Sequence, residues 1–119
     1  MKYALIGCGR ISPNHIAAAQ ENNLEIVALC DVVSENIEDK FQRFRLSSNI
    51  RRYTDYKEML EKEKPELVGI ATESGKHAQI ALDCIKARCN VIIEKPIAMS
   101  LEEADAIIKA SDESGVKVC

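Results

Sequence analysis

The stretch KYALIGCGRISPNH, residues 2–15, decides how this chain is read. An apolar run stops at Gly7, a second glycine follows at Gly9, and Ser12-Pro13 opens a helical pattern. The two glycines therefore occupy a strand-to-helix turn. Gly7 allows that turn to be tight. Gly9 keeps a Cβ out of the way, so that the backbone can approach a ligand closely. The N-terminus of the helix that follows offers free N–H groups and a partial positive charge, which together suit a phosphate. The plainer alternative is a turn with no ligand, and the remaining sequence chooses between the two.

Beyond the turn, strand and helix patterns alternate throughout. YALI, EIVALC, LVGIA, NVIIE and a final VKVC are continuous apolar runs, the mark of parallel strands buried on both faces. NIRRY is a weaker run that fits an edge strand. Start signals punctuate the helices. Ser12 is placed to cap the first, with Pro13 at its first position, and Ser34 to cap the second. Asp55 and Glu58 have capping-box spacing, and Ser100-Leu101-Glu102-Glu103 is a capping box proper. Core stripes follow: Ile37, Phe41 and Phe44; Ile80, Ala81, Cys84 and Ile85; Leu101, Ala104, Ile107 and Ile108. Repeated βαβ units predict an α/β fold with a doubly wound parallel sheet in the order 3-2-1-4-5-6. Residues 1–119 read as one dinucleotide-binding domain whose last strand is cut off at Cys119, the pattern of an excised or truncated domain.

The bulk properties narrow the function. A composition 46% hydrophobic and 29% charged is that of an ordinary globular protein. A net charge of -3 argues against nucleic acid as the main partner, because neutralising phosphates needs a basic face. Arg43, Arg45, Arg51 and Arg52 form one interrupted basic run, read as a solvated face. No run approaches the roughly 18 apolar residues of a membrane span. Cys8, Cys30, Cys84, Cys89 and Cys119 lack metal-ligand spacing and read as core residues of a reduced, cytoplasmic protein. No P-loop pattern occurs and no metal site is expected.

The second half of a dinucleotide fingerprint is also present. Asp31 ends the second strand about 20 residues beyond the glycines, where a carboxylate can accept hydrogen bonds from a ribose. That carboxylate would repel a 2′-phosphate, and Val32 and Val33 bring no cation to compensate, so NAD is favoured over NADP. Ser12 stands where the third glycine would be, a position that needs a small residue. The fourth strand leads into ATESGKH and the fifth into EKP, so Thr72, Ser74, His77, Glu94 and Lys95 gather at the same sheet edge as Gly7.

GCGRIS, CD, AT…H and EKP, in this order, resemble the N-terminal Rossmann domain of the Gfo/Idh/MocA family, and the resemblance covers essentially the whole chain. It implies an NAD(P)-dependent dehydrogenase of sugars, cyclitols or nucleotide sugars. Lys95 would be the catalytic lysine beside the nicotinamide and the substrate hydroxyl, and Pro96 would follow a cis peptide bond. Gly7, Gly9, Arg10, Ile11 and Asp31 would hold the cofactor at the glycine turn. Thr72 and Ser74 would meet its phosphates and ribose, and His77 and Glu94 would line its nicotinamide end. For His77 simple packing at the start of the fourth helix is an equal reading. Glu73 departs from the proline that many members carry there. The wording TDYKEMLEKEKPELVGIATESGKHAQIALDCI is similar to members that oxidise the 3-hydroxyl of UDP-N-acetyl amino sugars. The resemblance further implies a C-terminal substrate domain absent from this chain, a homo-oligomer at full length, and little turnover by residues 1–119 alone.

Two other readings compete: a non-catalytic NAD-sensing module, and a doubly wound domain for another nucleotide-like ligand such as S-adenosylmethionine. A sensor has no use for Lys95 in EKP, which favours the enzyme.

Overall fold

The computed structural model describes residues 1–119. Its elements are β1 (Lys2–Ile6), α1 (Ser12–Glu21), β2 (Glu25–Cys30), α2 (Ser34–Phe44), β3 (Arg51–Tyr53), α3 (Tyr56–Glu63), β4 (Leu67–Ile70), a 3-10 turn (Ser74–Lys76), α4 (His77–Lys86), β5 (Asn90–Ile93) and α5 (Leu101–Ser114). All strand pairs are parallel, in the order β3-β2-β1-β4-β5. Val118 bridges in parallel to Val91, outside β5, so the final run takes the sixth position as a single bridge. The expected order and the weak edge strand are both present.

The strands are apolar throughout because the sheet is covered on both sides. Along β1 the side chains alternate faces. Tyr3 and Leu5 join Ile16, Ala19, Ile37 and Phe41 from α1 and α2. Ala4 and Ile6 join Met59, Leu60, Ile80, Ala81 and Ile107 from α3, α4 and α5. With β1 central, strand order reverses beside it, and a ligand crevice is expected outside its C-terminal end.

Several helix details differ from expectation. Ile11, not Ser12, holds the cap position of α1, and the Ser12 hydroxyl donates to the Gly9 carbonyl at 2.6 Å. Ser34 is already helical, because Asp31 Oδ1 accepts the Val33 N–H at 2.8 Å and sets the chain direction one residue earlier. Asp55 does cap α3, by accepting from Lys57 N–H, but Glu58 pairs with Lys62 instead of completing a box. Ser100 accepts from Glu103 N–H as a box requires, while the Glu103 carboxylate takes the Met99 N–H. In α5 only Ile107 of the expected stripe is buried. Leu101 and Ile108 are 84% and 54% exposed, since α5 has one neighbour, α4, across only part of its face. Four cysteines are buried as expected and Cys119 is exposed; all five are free thiols.

Candidate functional site

The C-terminal ends of β1, β2, β4 and β5 meet at one edge, held by ladder bonds that run past the strands. Gly7 N–H donates to Cys30 O at 2.8 Å, Ala71 N–H to Ile6 O at 2.8 Å, and Glu94 N–H to Ile70 O at 2.9 Å. The backbone at Gly7 has φ +98°, and a Cβ there would lie 2.5 Å from the Ala71 carbonyl and 2.7 Å from Thr72 N. The fold itself therefore demands glycine at position 7. Gly9 is different. Its φ is not positive, and a Cβ built on it meets nothing within 4 Å. It borders a crevice of about 310 Å³, whose walls include Gly7, Asp31, Val32, Thr72, Glu73 and Lys76.

The turn between Gly9 and α1 has the donors an anion needs. The N–H groups of Gly9, Arg10 and Ile11 have no hydrogen-bond acceptor within the chain, and Pro13 has no N–H to offer. Ser12 in the third-glycine position is fully buried, so its small side chain lets helix and strand pack closely. Arg10 and Lys76 are exposed and form no ion pair, which leaves two cations at the turn and the crevice wall. Beneath it, burial pushes the Cys8 and Cys30 thiols up to about 12, with the Asp31 charge adding to both. Neither sulfur is a thiolate nucleophile at neutral pH.

Asp31 is half-buried and already employed. Its Oδ2 accepts from Cys8 N–H at 2.8 Å and from Asn36 Nδ2 at 3.4 Å, and its Oδ1 from Val33 N–H. A carboxylate has about four acceptor positions, so one is still open to a hydroxyl. Val32 and Val33 beside it are 75% and 45% exposed and carry no charge. Thr72 stands against Gly7, with its hydroxyl donating to Glu73 O at 3.3 Å, and Ser74 opens the 3-10 turn outside the crevice wall.

The EKP segment follows β5 at the same edge. The Lys95–Pro96 bond is cis. Lys95 is exposed and its ammonium makes no hydrogen bond or ion pair. Glu94 turns toward α1, where Oε1 accepts from His15 Nε2 at 2.8 Å while Oε2 takes the Lys95 N–H at 3.3 Å. The His15 hydrogen bond, more than its charge, holds the Glu94 carboxyl below the usual range. His77 is 1% exposed, and both ring nitrogens face main-chain carbonyls: Nδ1 lies 2.8 Å from Pro96 O and Nε2 2.9 Å from Thr72 O. No ring nitrogen is left for a cofactor. His15 and Asn36 are members of this edge that the sequence reading did not single out. Their partners lie on other elements, and only Asn36, five residues past Asp31, carries a local hint. Two wider hollows, of about 440 and 500 Å³, do not include the glycine turn, although His15 and Glu94 line the larger one.

Known proteins share this fold. The family model described as oxidoreductase family, NAD-binding Rossmann fold, matches residues 1–119. D-apiose dehydrogenase from Paraburkholderia graminis is 38% identical over 116 residues, covering 97% of this chain and 30% of the relative. Inositol 2-dehydrogenase from Salmonella typhimurium is 25% identical over 120 residues, covering 99% of this chain and 35% of that protein. The crystal structure of the WlbA dehydrogenase from Bordetella pertussis, in complex with NADH and UDP-GlcNAcA, superposes with a TM-score of 0.86 at 33% identity, over 98% of this chain and 34% of that one. The chain thus spans about a third of the length of the relatives it matches. With the glycine turn, the crevice and a family match over all 119 residues in agreement, the chain belongs to the Gfo/Idh/MocA oxidoreductase family and carries its NAD-binding Rossmann fold.

Proposed function

We propose that this chain is the cofactor-binding part of an NAD-dependent dehydrogenase that oxidises a secondary hydroxyl of a sugar, cyclitol or nucleotide sugar. One observation carries the reading: Gly9 has no steric or dihedral reason to be glycine within the chain, yet it borders the crevice beside three unpaired N–H groups. A pyrophosphate supplies the missing reason, since it needs close backbone approach and amide donors. Arg10 and Lys76 add positive charge at the same place, and Asp31 keeps an acceptor for an adenosine ribose.

Bound NAD would supply the hydride acceptor. Thr72 and Glu73, just past β4, line the crevice on the side of that strand. Lys95 Nζ, free of internal partners, hydrogen-bonds the substrate hydroxyl oxygen as an ammonium, which lowers that hydroxyl's pKa, and relays the proton by giving up one of its own to solvent as the hydroxyl proton arrives. The substrate and its remaining contacts belong to residues beyond this chain, in the two-thirds of its relatives' length that it does not span. The sugar and cyclitol reading is supported by the D-apiose and inositol dehydrogenases. The finer one, oxidation of a UDP-N-acetyl amino sugar at its 3-hydroxyl, is supported by the WlbA likeness. Five free thiols fit a reducing, cytoplasmic setting. No helix is long and apolar enough to cross a membrane.

Calorimetric titration of the full-length protein with NAD⁺, NADH and NADP⁺ tests the reading. NAD(H) should bind more tightly than NADP⁺. Asp31→Ala should weaken NAD(H) about tenfold or more, since a hydrogen bond to a charged group is worth about 1.5–3 kcal/mol, and should narrow the gap to NADP⁺. A melting curve alongside separates this from loosening of the turn, because Cys8 N–H also loses its acceptor. Tighter binding of NADP⁺, or no dinucleotide bound by folded protein, would refute the assignment.

A further inference from the structure

His77 starts α4 beneath the crevice edge, fully buried, and its ring lies between two turns that come from different strands. One is the turn after β4, reached through Thr72 O at 2.9 Å. The other is the turn after β5, reached through Pro96 O at 2.8 Å. Carbonyl oxygens only accept, so it is the ring that donates across this junction, through a nitrogen that carries a proton. Pro96 O belongs to the residue after Lys95, whose ammonium has no internal partner to fix it. From the opposite face of the sheet, His15 holds the preceding residue, Glu94, at 2.8 Å.

We propose that His77 is a positioning residue: its ring, with one nitrogen at each carbonyl, ties the turn after β5 to the turn after β4, and so fixes where Lys95 stands relative to the cofactor crevice. The inference rests on the dehydrogenase reading for the role of Lys95, and not for the bridge itself. Glutamine at this position carries its donors on a single nitrogen, so it cannot face both carbonyls with a nitrogen, and it breaks the bridge while leaving the site polar.

Two measurements test this on the full-length protein. The first is nitrogen NMR of the wild type with ¹⁵N-histidine. The His77 ring should show an N–H protected from solvent exchange by its bond to a main-chain carbonyl, and a ring whose N–H exchanges freely would overturn the bridge. The second compares His77→Gln with wild type in NADH binding and in turnover, using D-apiose, myo-inositol and a UDP-N-acetyl amino sugar as probes. NADH affinity should change by less than about twofold, while kcat falls about a hundredfold, the scale expected when a reacting group moves by about 1 Å. Unchanged kcat in a folded variant, or a loss confined to NADH affinity, would overturn the positioning role. If wild type turns over none of the probes, it is the dehydrogenase reading that fails, and the NMR result still decides the bridge.

Discussion

Replacing Lys95 by alanine in the full-length protein is expected to lower kcat by about 10²–10⁴-fold, the usual contribution of a positioned acid–base group, and to leave NADH affinity within about twofold. The side chain is exposed and its ammonium has no partner within the chain, so its removal breaks no internal contact of that charge. Stability should therefore stay within about 0.5 kcal/mol of wild type, as for other surface exchanges. A large loss of turnover with intact folding and intact cofactor binding would identify a group that acts on the reacting hydroxyl. Comparable turnover by wild type and variant would remove Lys95 from the chemistry. Stopped-flow measurement of NADH formation, together with NADH titration and a melting curve, separates these outcomes.

The second large effect concerns Gly7. Gly7→Ala should destabilise the fold by about 3 kcal/mol, from the cost of an L-residue at positive φ added to overpacking in a closed site. A Cβ at this position meets main-chain atoms of Ala71 and Thr72 at 2.5–2.7 Å, and neither β4 nor the turn can move without breaking the bonds that align them. Gly9→Ala should cost far less, because its Cβ would enter open space. Denaturant unfolding of both variants reads the contrast directly. Equal stabilities would mean that the turn can relax, and that Gly7 is glycine for some other reason.

Much of this fold was legible because buried parallel strands write themselves as unbroken apolar runs. EIVALC matches β2 residue for residue, and the strand order follows from the βαβ repeat. Helix starts were less legible. Ser12 and Ser34 carry the right side chain for a cap, but the chain enters each helix one residue earlier: the Ser12 hydroxyl donates to the Gly9 carbonyl, and Asp31 accepts the Val33 N–H in a turn that makes Val33 the cap residue. The α5 stripe failed for a different reason. A periodic apolar face says that a helix has a side to bury, and not how much of that side a neighbour covers, which leaves Leu101 and Ile108 exposed. In the site, glycine spacing and Asp31 stand out because their chemistry is local to a turn. His15 does not, since its partner Glu94 is 79 residues away and nothing in the spacing joins them. His77 stands out as a histidine near the edge, but only the folded chain shows both of its nitrogens turned to carbonyls.

The central claim is that the crevice beside Gly9 seats the pyrophosphate of a dinucleotide, and a Gly9→Leu variant tests it most directly. In the folded chain a side chain at position 9 disturbs nothing within 4 Å of its Cβ, yet it stands in the approach to three free N–H groups. NADH titration of full-length wild type and variant, with unfolding curves for both, is the measurement. The account predicts near-equal stabilities and a loss of NADH affinity of about a hundredfold or more, roughly 2.8 kcal/mol at 1.4 kcal/mol per tenfold. NADH bound equally well by both proteins would contradict it and leave the glycine turn as only a turn.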